Sequence, residues 1–223
     1  MKRILLAGAG MLVAMASLAH AADLPRQMVT KAPQPYMAPY YNWTGFDLGI
    51  NGGGGWGTSS WDSTGGFDVS GGMIGGTVGY NWQTGPWVFG VEGDVDWASV
   101  KGTTNAPGCV GGGCTTENTW LGTARGRVGY AFDRWMPYIT GGAAFGGVDA
   151  NHAGFTGASS TQVGWAAGAG VEFAVVNNVT AKVEYLHYDL GSFTCGLNCG
   201  NGVVNDSVSF SADMIRGGVN LRF

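Results

Sequence analysis

Charge is scarce in this chain. Only 12% of its 223 residues are Asp, Glu, Lys or Arg, and the basic ones form no cluster. A chain that is mildly acidic, at −4 overall, offers nucleic acid no electrostatic footprint, so no nucleic-acid partner is expected. Long apolar runs are missing too. Beyond residue 21 nothing approaches the ~20 apolar residues that a membrane helix needs. The glycine runs Gly52–Gly55 and Gly111–Gly113 lack the Gly-Lys-Ser/Thr of a phosphate loop. Histidine is nearly absent, with only His152 and His187 after residue 21. No cofactor or metal site is expected. What the chain has instead is 42 glycines, 10 Phe, 9 Trp and 8 Tyr. That is too aromatic for disorder and has no collagen triplet.

The first residues read as an address, not as fold. Lys2-Arg3 is a positive start, Ile4–Leu18 an apolar stretch, and Ala19-His20-Ala21 a small-x-small cleavage site. Residues 1–21 are therefore expected to be a signal peptide cut between Ala21 and Ala22, which takes the formal charge to −6. Residues 22–42 hold four of the seven prolines and read as a periplasmic linker. Residues 43–223 carry the fold.

That fold announces itself in Trp87–Trp97, W-V-F-G-V-E-G-D-V-D-W. One face has Trp87, Phe89, Val91, Val95 and Trp97; the other has Glu92, Asp94 and Asp96. A period of two marks a strand, and an apolar face ending in Trp suits one that crosses lipid in ~9–11 residues. The pattern recurs in Trp43–Trp56, about Gly71–Gln83, Trp120–Phe132, Met136–Val148, Gln162–Val175, Val179–Asp189 and a last strand ending at Phe223. Eight strands result, joined alternately by long and short connections. Short periplasmic turns and longer outer loops are the outer-membrane hairpin pattern. A strand edge cannot face lipid unpaired, so an all-β, eight-stranded antiparallel up-and-down transmembrane barrel is predicted. Asp133-Arg134-Trp135 and Asn177-Asn178 read as periplasmic turns, and about 101–117 and 191–206 as outer loops.

Alternation sorts the side chains. Pointing inward are Asp47, Glu92, Asp94, Asp96, Glu172 and Glu184, with Arg125, Arg127, Lys182, Arg216 and Arg222. Packed in so narrow a lumen, these eleven are expected to pair, with Arg125 and Arg127 meeting Glu92, Asp94 and Asp96 on the next strand. Aromatic belts are expected from Trp43, Tyr80, Trp82, Trp87, Trp97, Trp120, Tyr130, Phe132, Trp165, Phe173, Tyr185 and Phe223. Asp213 is an outward acid, placed near the outer rim.

Asn42-Trp43-Thr44-Gly45-Phe46, Gly79-Tyr80-Asn81-Trp82, Trp87–Asp94, Arg125–Ala131, Tyr138–Gly142 and Ala181–Tyr185, in that order, resemble the outer membrane immunogenic protein family. Those are small Gram-negative surface barrels, similar in fold to the OmpA transmembrane domain. Asp47 departs from the aromatic expected at its position, but it points inward, where the fold tolerates it. The resemblance implies a surface antigen and envelope component, sometimes labelled porin-like. With the chain stopping at Phe223, no peptidoglycan-binding domain is expected after the barrel.

The four cysteines, Cys109, Cys114, Cys195 and Cys199, lie in two outer loops, an oxidising place. They allow three connectivities; loops on opposite sides of the ring favour Cys109–Cys114 and Cys195–Cys199 over a joint zinc cluster. Three functions compete. A non-enzymatic surface barrel leads, a small diffusion channel is the alternative, and a lipid-modifying enzyme using His187 with Ser192 and Asp189 comes third. Expected partners are outer-membrane lipid and lipopolysaccharide, the barrel assembly machinery through the C-terminal strand ending in Phe223, and an external or host ligand at the loops.

Overall fold

The structure, a computed structural model, describes residues 41–62, 65–105, 113–152, 158–196 and 206–223. The expected cleavage site at Ala21/Ala22, the linker as far as residue 40, and Cys109 and Cys199 lie outside them. Eight antiparallel strands form a closed barrel in chain order. They are β1 (Gly45–Trp61), β2 (Gly65–Thr84), β3 (Trp87–Thr104), β4 (Cys114–Tyr130), β5 (Trp135–His152), β6 (Ala158–Val176), β7 (Val179–Gly196) and β8 (Asp206–Arg222). Closure is made by β1 against β8, with Asp47 opposite Arg222. Backbone hydrogen bonds in both directions between Phe46 and Phe223 finish the seam. The barrel fold expected from alternation is the fold observed.

The strands are longer than alternation predicted. β1 runs on to Trp61 and β2 begins at Gly65, so the expected long Gly/Ser/Asp loop there is mostly strand. β3, β4, β7 and β8 likewise reach into what reads as loop. Each strand has 17–20 residues, about twice what a bilayer needs.

The surplus has its polarity turned round. In the lower half, toward the termini, lipid-facing Phe46, Leu48, Ile50, Ile74, Val95 and Trp97 are exposed, and charges are buried inside. In the upper half Val100, Leu121, Val148, Leu186, Leu190, Phe210 and Met214 point inward as one buried cluster. Above them Trp61, Ala150, Val208 and Cys114 form a second. The outward positions on β3 become Ser99, Lys101 and Thr103. One strand thus crosses lipid with its apolar face out and then stands in water with its apolar face in.

Two inward glycines allow the narrow bore. A Cβ on Gly53 would strike the backbone of Ile215 and Arg216, and one on Gly75 would strike the Asp96 carboxylate. In both places the neighbouring strand, β8 beside Gly53 and β3 beside Gly75, occupies that space.

Candidate functional site

The lower lumen is the polar centre of the molecule. Glu92 stands opposite Arg125 in the β3–β4 register, so acid and base leave adjacent strands at one height. Arg125 meets Glu92, Asp94 at 3.0 Å and Glu184 at 3.0 Å. Arg127 meets Glu92 at 3.4 Å and Glu172 at 2.5 Å, and Lys182 reaches Glu92 at 3.2 Å. Arg216 gathers Asp94 at 2.9 Å, Asp96 at 3.1 Å and Glu184 at 2.7 Å. Arg222 joins Asp47 at 2.8 Å to Glu172 at 3.6 Å. Followed from partner to partner, all eleven charges form one connected network. Each is buried, and no other charged residue is, among the described residues.

One expected pairing is corrected. Asp96 does not meet Arg125 or Arg127. In the register it faces Leu121, two inward rungs above the Glu92–Arg125 pair, and β8 supplies Arg216 instead.

Neutral groups complete the network. The Thr123 hydroxyl donates to Asp94 at 2.7 Å and Thr180 to Glu172 at 2.5 Å. Tyr138 donates to Glu184 at 2.9 Å while its ring lies 4.6 Å under the Arg127 guanidinium. Asn81 donates to Asp47. Inward parity marked these positions in the sequence, though an uncharged side chain gave no reason to single them out. The lumen space lined by Asp47, Thr77, Asn81, Glu92, Arg127 and Asn220 has an empty volume of about 200 Å³, too narrow at every point for a water-sized sphere.

Below the network, the chain leading into β1 crosses the mouth. Trp43 is fully buried there, so it is not part of an outer aromatic belt. Its parity is that of Asp47 and Asn51, the inward side, which is why the belt assignment fails. The Trp43 N–H donates to Gln83 Oε1 at 2.7 Å and its Nε1 to the Asp133 carbonyl at 2.9 Å. Tyr41 donates its N–H to Asp133 Oδ1 at 3.0 Å and its hydroxyl to the Asn177 carbonyl at 3.1 Å. Burial pushes the Tyr41 phenol above its ordinary pKa, so it stays a neutral donor. The Arg222 guanidinium lies 4.9 Å over the Trp43 ring and 5.7 Å over that of Tyr41. This strap ties together all three short turns. Asp133, the one non-glycine residue with positive φ (55°) among those described, is pinned by it on two atoms.

The remaining aromatics expected in belts face outward. Near the termini, Trp87 and Tyr130 pack edge to face at 5.3 Å and Tyr130 lies 4.7 Å from Phe132. Tyr80 packs against Phe46 at 4.8 Å and Trp135, absent from the expected set, against Phe173 at 4.6 Å. Trp82 and Phe223 are exposed at the same level. Trp97 opposes Trp120 across the β3–β4 register at the upper rim, where Trp165 and Tyr185 also face out.

The residues of the enzyme reading do not assemble. Asp189 accepts the Gly191 N–H at 2.7 Å, while His187 Nδ1 lies 2.8 Å from Asp213. A register shift separates Asp189 from Ser192. The His152 side chain lies outside the described residues. Cys114 is disulfide-bonded, but the side chains of Cys109, Cys195 and Cys199 lie outside the described residues, so its partner is not defined. Among the described residues no group of three or more His, Cys, Asp or Glu could hold a metal.

The sequence matches the family described as outer membrane protein beta-barrel domain over residues 9–223. It is 37% identical over 249 residues to the 31 kDa outer-membrane immunogenic protein of Brucella melitensis, covering all of both chains. It is 34% identical over 193 residues to a 22 kDa outer membrane protein of Rhizobium leguminosarum, covering 86% of this chain and 83% of that one. Among solved structures, OprG of Pseudomonas aeruginosa aligns with a TM-score of 0.52 at 12% identity. That alignment covers 83% of this chain and 100% of OprG and speaks to the fold alone. A closed barrel with lipid outside and charge inside, matched along its length by such relatives, is an outer-membrane protein, and the chain belongs to the outer membrane immunogenic protein family.

Proposed function

We propose that the protein is a closed, non-enzymatic surface barrel whose task is to hold its outer connections above the membrane. The observation that carries this is the single eleven-charge network filling the lower lumen. An eight-strand interior is just wide enough for side chains, whereas water-filled porins use 16–18 strands. Below the network sits the strap and above it an apolar plug, so a solute would have to displace three unlike barriers. The immunogenic names of the relatives support a surface-exposed role.

Partners follow from position. Outer-membrane lipid and lipopolysaccharide surround the belt, the barrel assembly machinery takes the strand that ends in the exposed Phe223, and an external ligand meets the outer connections.

Refolded protein in planar bilayers should give no stable openings of porin size. Reproducible openings whose ion selectivity changes in Arg127→Ala or Glu184→Ala would overturn the reading in favour of a channel. Altered lipid acylation on overexpression, lost in His187→Ala, would favour an enzyme.

A further inference from the structure

The lipid-facing wall carries one carboxylate that its surroundings only half satisfy. Asp213 lies ten positions up β8 from Phe223. At ~3.3 Å per residue and ~40° of tilt that climb is about 25 Å, the height of the apolar band. Asp213 therefore stands where hydrocarbon gives way to headgroups of the outer leaflet. Two groups donate to it, the Tyr185 hydroxyl at 2.6 Å and His187 Nδ1 at 2.8 Å. Both bond Oδ1. Oδ2 accepts no hydrogen bond among the described residues and is not among the buried, unpartnered atoms. The Asp213 side chain is 29% exposed.

Aromatic residues occupy the outward positions neighbouring Asp213. Trp56 is its register partner on β1, with an exposed indole, and His187 its partner on β7. The Trp165 ring lies 5.2 Å from that of His187, tilted by 48°, and Tyr185 completes the set. No Lys or Arg is near. On the outward faces of the described strands Lys101 is the only such residue, and it lies three strands away on β3.

We propose that Asp213, with Trp56, Trp165, Tyr185 and His187, binds the ammonium headgroup of an outer-leaflet lipid. A carboxylate with one free oxygen, set among aromatic side chains on adjacent strands, is the chemistry that takes up an ammonium ion, through a charged hydrogen bond and cation–π attraction. A divalent cation needs several oxygens at once; Asp213 offers one, and the nearby Asp189, register partner of Trp165, already accepts the Gly191 N–H through Oδ1. A phosphate would meet like charge. His187 donates through Nδ1 whether neutral or protonated, so Oδ2 stays open in both states. The site is independent of whether the lumen conducts.

The test uses the full chain refolded in detergent with equal phosphatidylethanolamine and phosphatidylglycerol of the same acyl chains. Native mass spectrometry then counts the lipids retained. The amine lipid should be retained over the other by about threefold, and Asp213→Asn should remove the preference while keeping the folded form on an unheated gel. Should that variant fail to refold, Trp165→Leu reads the same preference, because it takes away a ring and leaves the carboxylate in place. Equal retention by the wild-type protein, or a preference unchanged in Asp213→Asn (or, where that variant does not fold, in Trp165→Leu), would overturn the proposal. So would a preference for phosphatidylglycerol that appears only with magnesium, which would assign the oxygen to a bridging metal.

Discussion

Six carboxylates and five cations share the lumen, and the mismatch falls on Asp96. Its one basic partner, Arg216, also serves Asp94 and Glu184. Its Oδ1 is buried with no donor, as is Oδ1 of Asn51, whose amide lies beside it. Asp94, by contrast, has Arg125, Arg216 and the Thr123 hydroxyl. Removing one partner of a well-made buried pair costs roughly 3–5 kcal/mol. Asp94→Asn should therefore destabilise by about that much, and Asp96→Asn by under about 1 kcal/mol, since it removes the surplus charge. Urea unfolding of the two refolded variants compares them directly. The reverse order would mean that Asp96, not Asp94, anchors Arg216.

At the scale of the strand, alternation could be read wherever lipid stood on one side. It located all eight strands, because side chains that alternate between lipid and lumen keep a strict period of two. It stopped short at the outer rim, because there the faces exchange roles. Val100 and Lys101 continue the period of two that Val95 and Asp96 follow, yet with inside and outside reversed. Exposed Ser, Thr and Gly on such walls look like loop. The inward charges were legible for the same reason as the strands, and their partners were not, since pairing across the lumen joins strands that sequence order separates. Arg216 to Asp94 is such a pair, from β8 to β3. Trp43 shows the opposite failure, in which residue type outweighed parity.

The strap yields its own prediction. In Trp43→Ala the Asp133 carbonyl loses its donor and Arg222 its stacked ring. The turn between β4 and β5 should then exchange its amide hydrogens faster, with Trp135 N–H, bonded to the Phe132 carbonyl, as the reporter. Unchanged exchange there would mean that the turn holds Asp133 at positive φ without help from the strap.

At the scale of the whole molecule, closure of β8 on β1 leaves no strand edge to start unfolding from. Unboiled and boiled samples should migrate differently in detergent gels. Protease added to intact cells should cut only in the four connections at the upper end. Cutting at Asp133–Trp135 on intact cells would reverse the assigned orientation.

The exchange of faces along each strand has a mechanical consequence. From Trp97 to Thr104, β3 continues for seven residues past the lipid, about 18 Å at ~3.3 Å rise and ~40° tilt. That height is enclosed and filled by its own apolar packing, so it is a stiff pedestal and not a fringe of loops. A segment mounted on such a pedestal is uncoupled from the membrane belt, because exchanging its residues moves no lumen charge and no lipid contact. The barrel is in effect a display mount, whose cargo can vary in length and sequence while the part that folds stays the same.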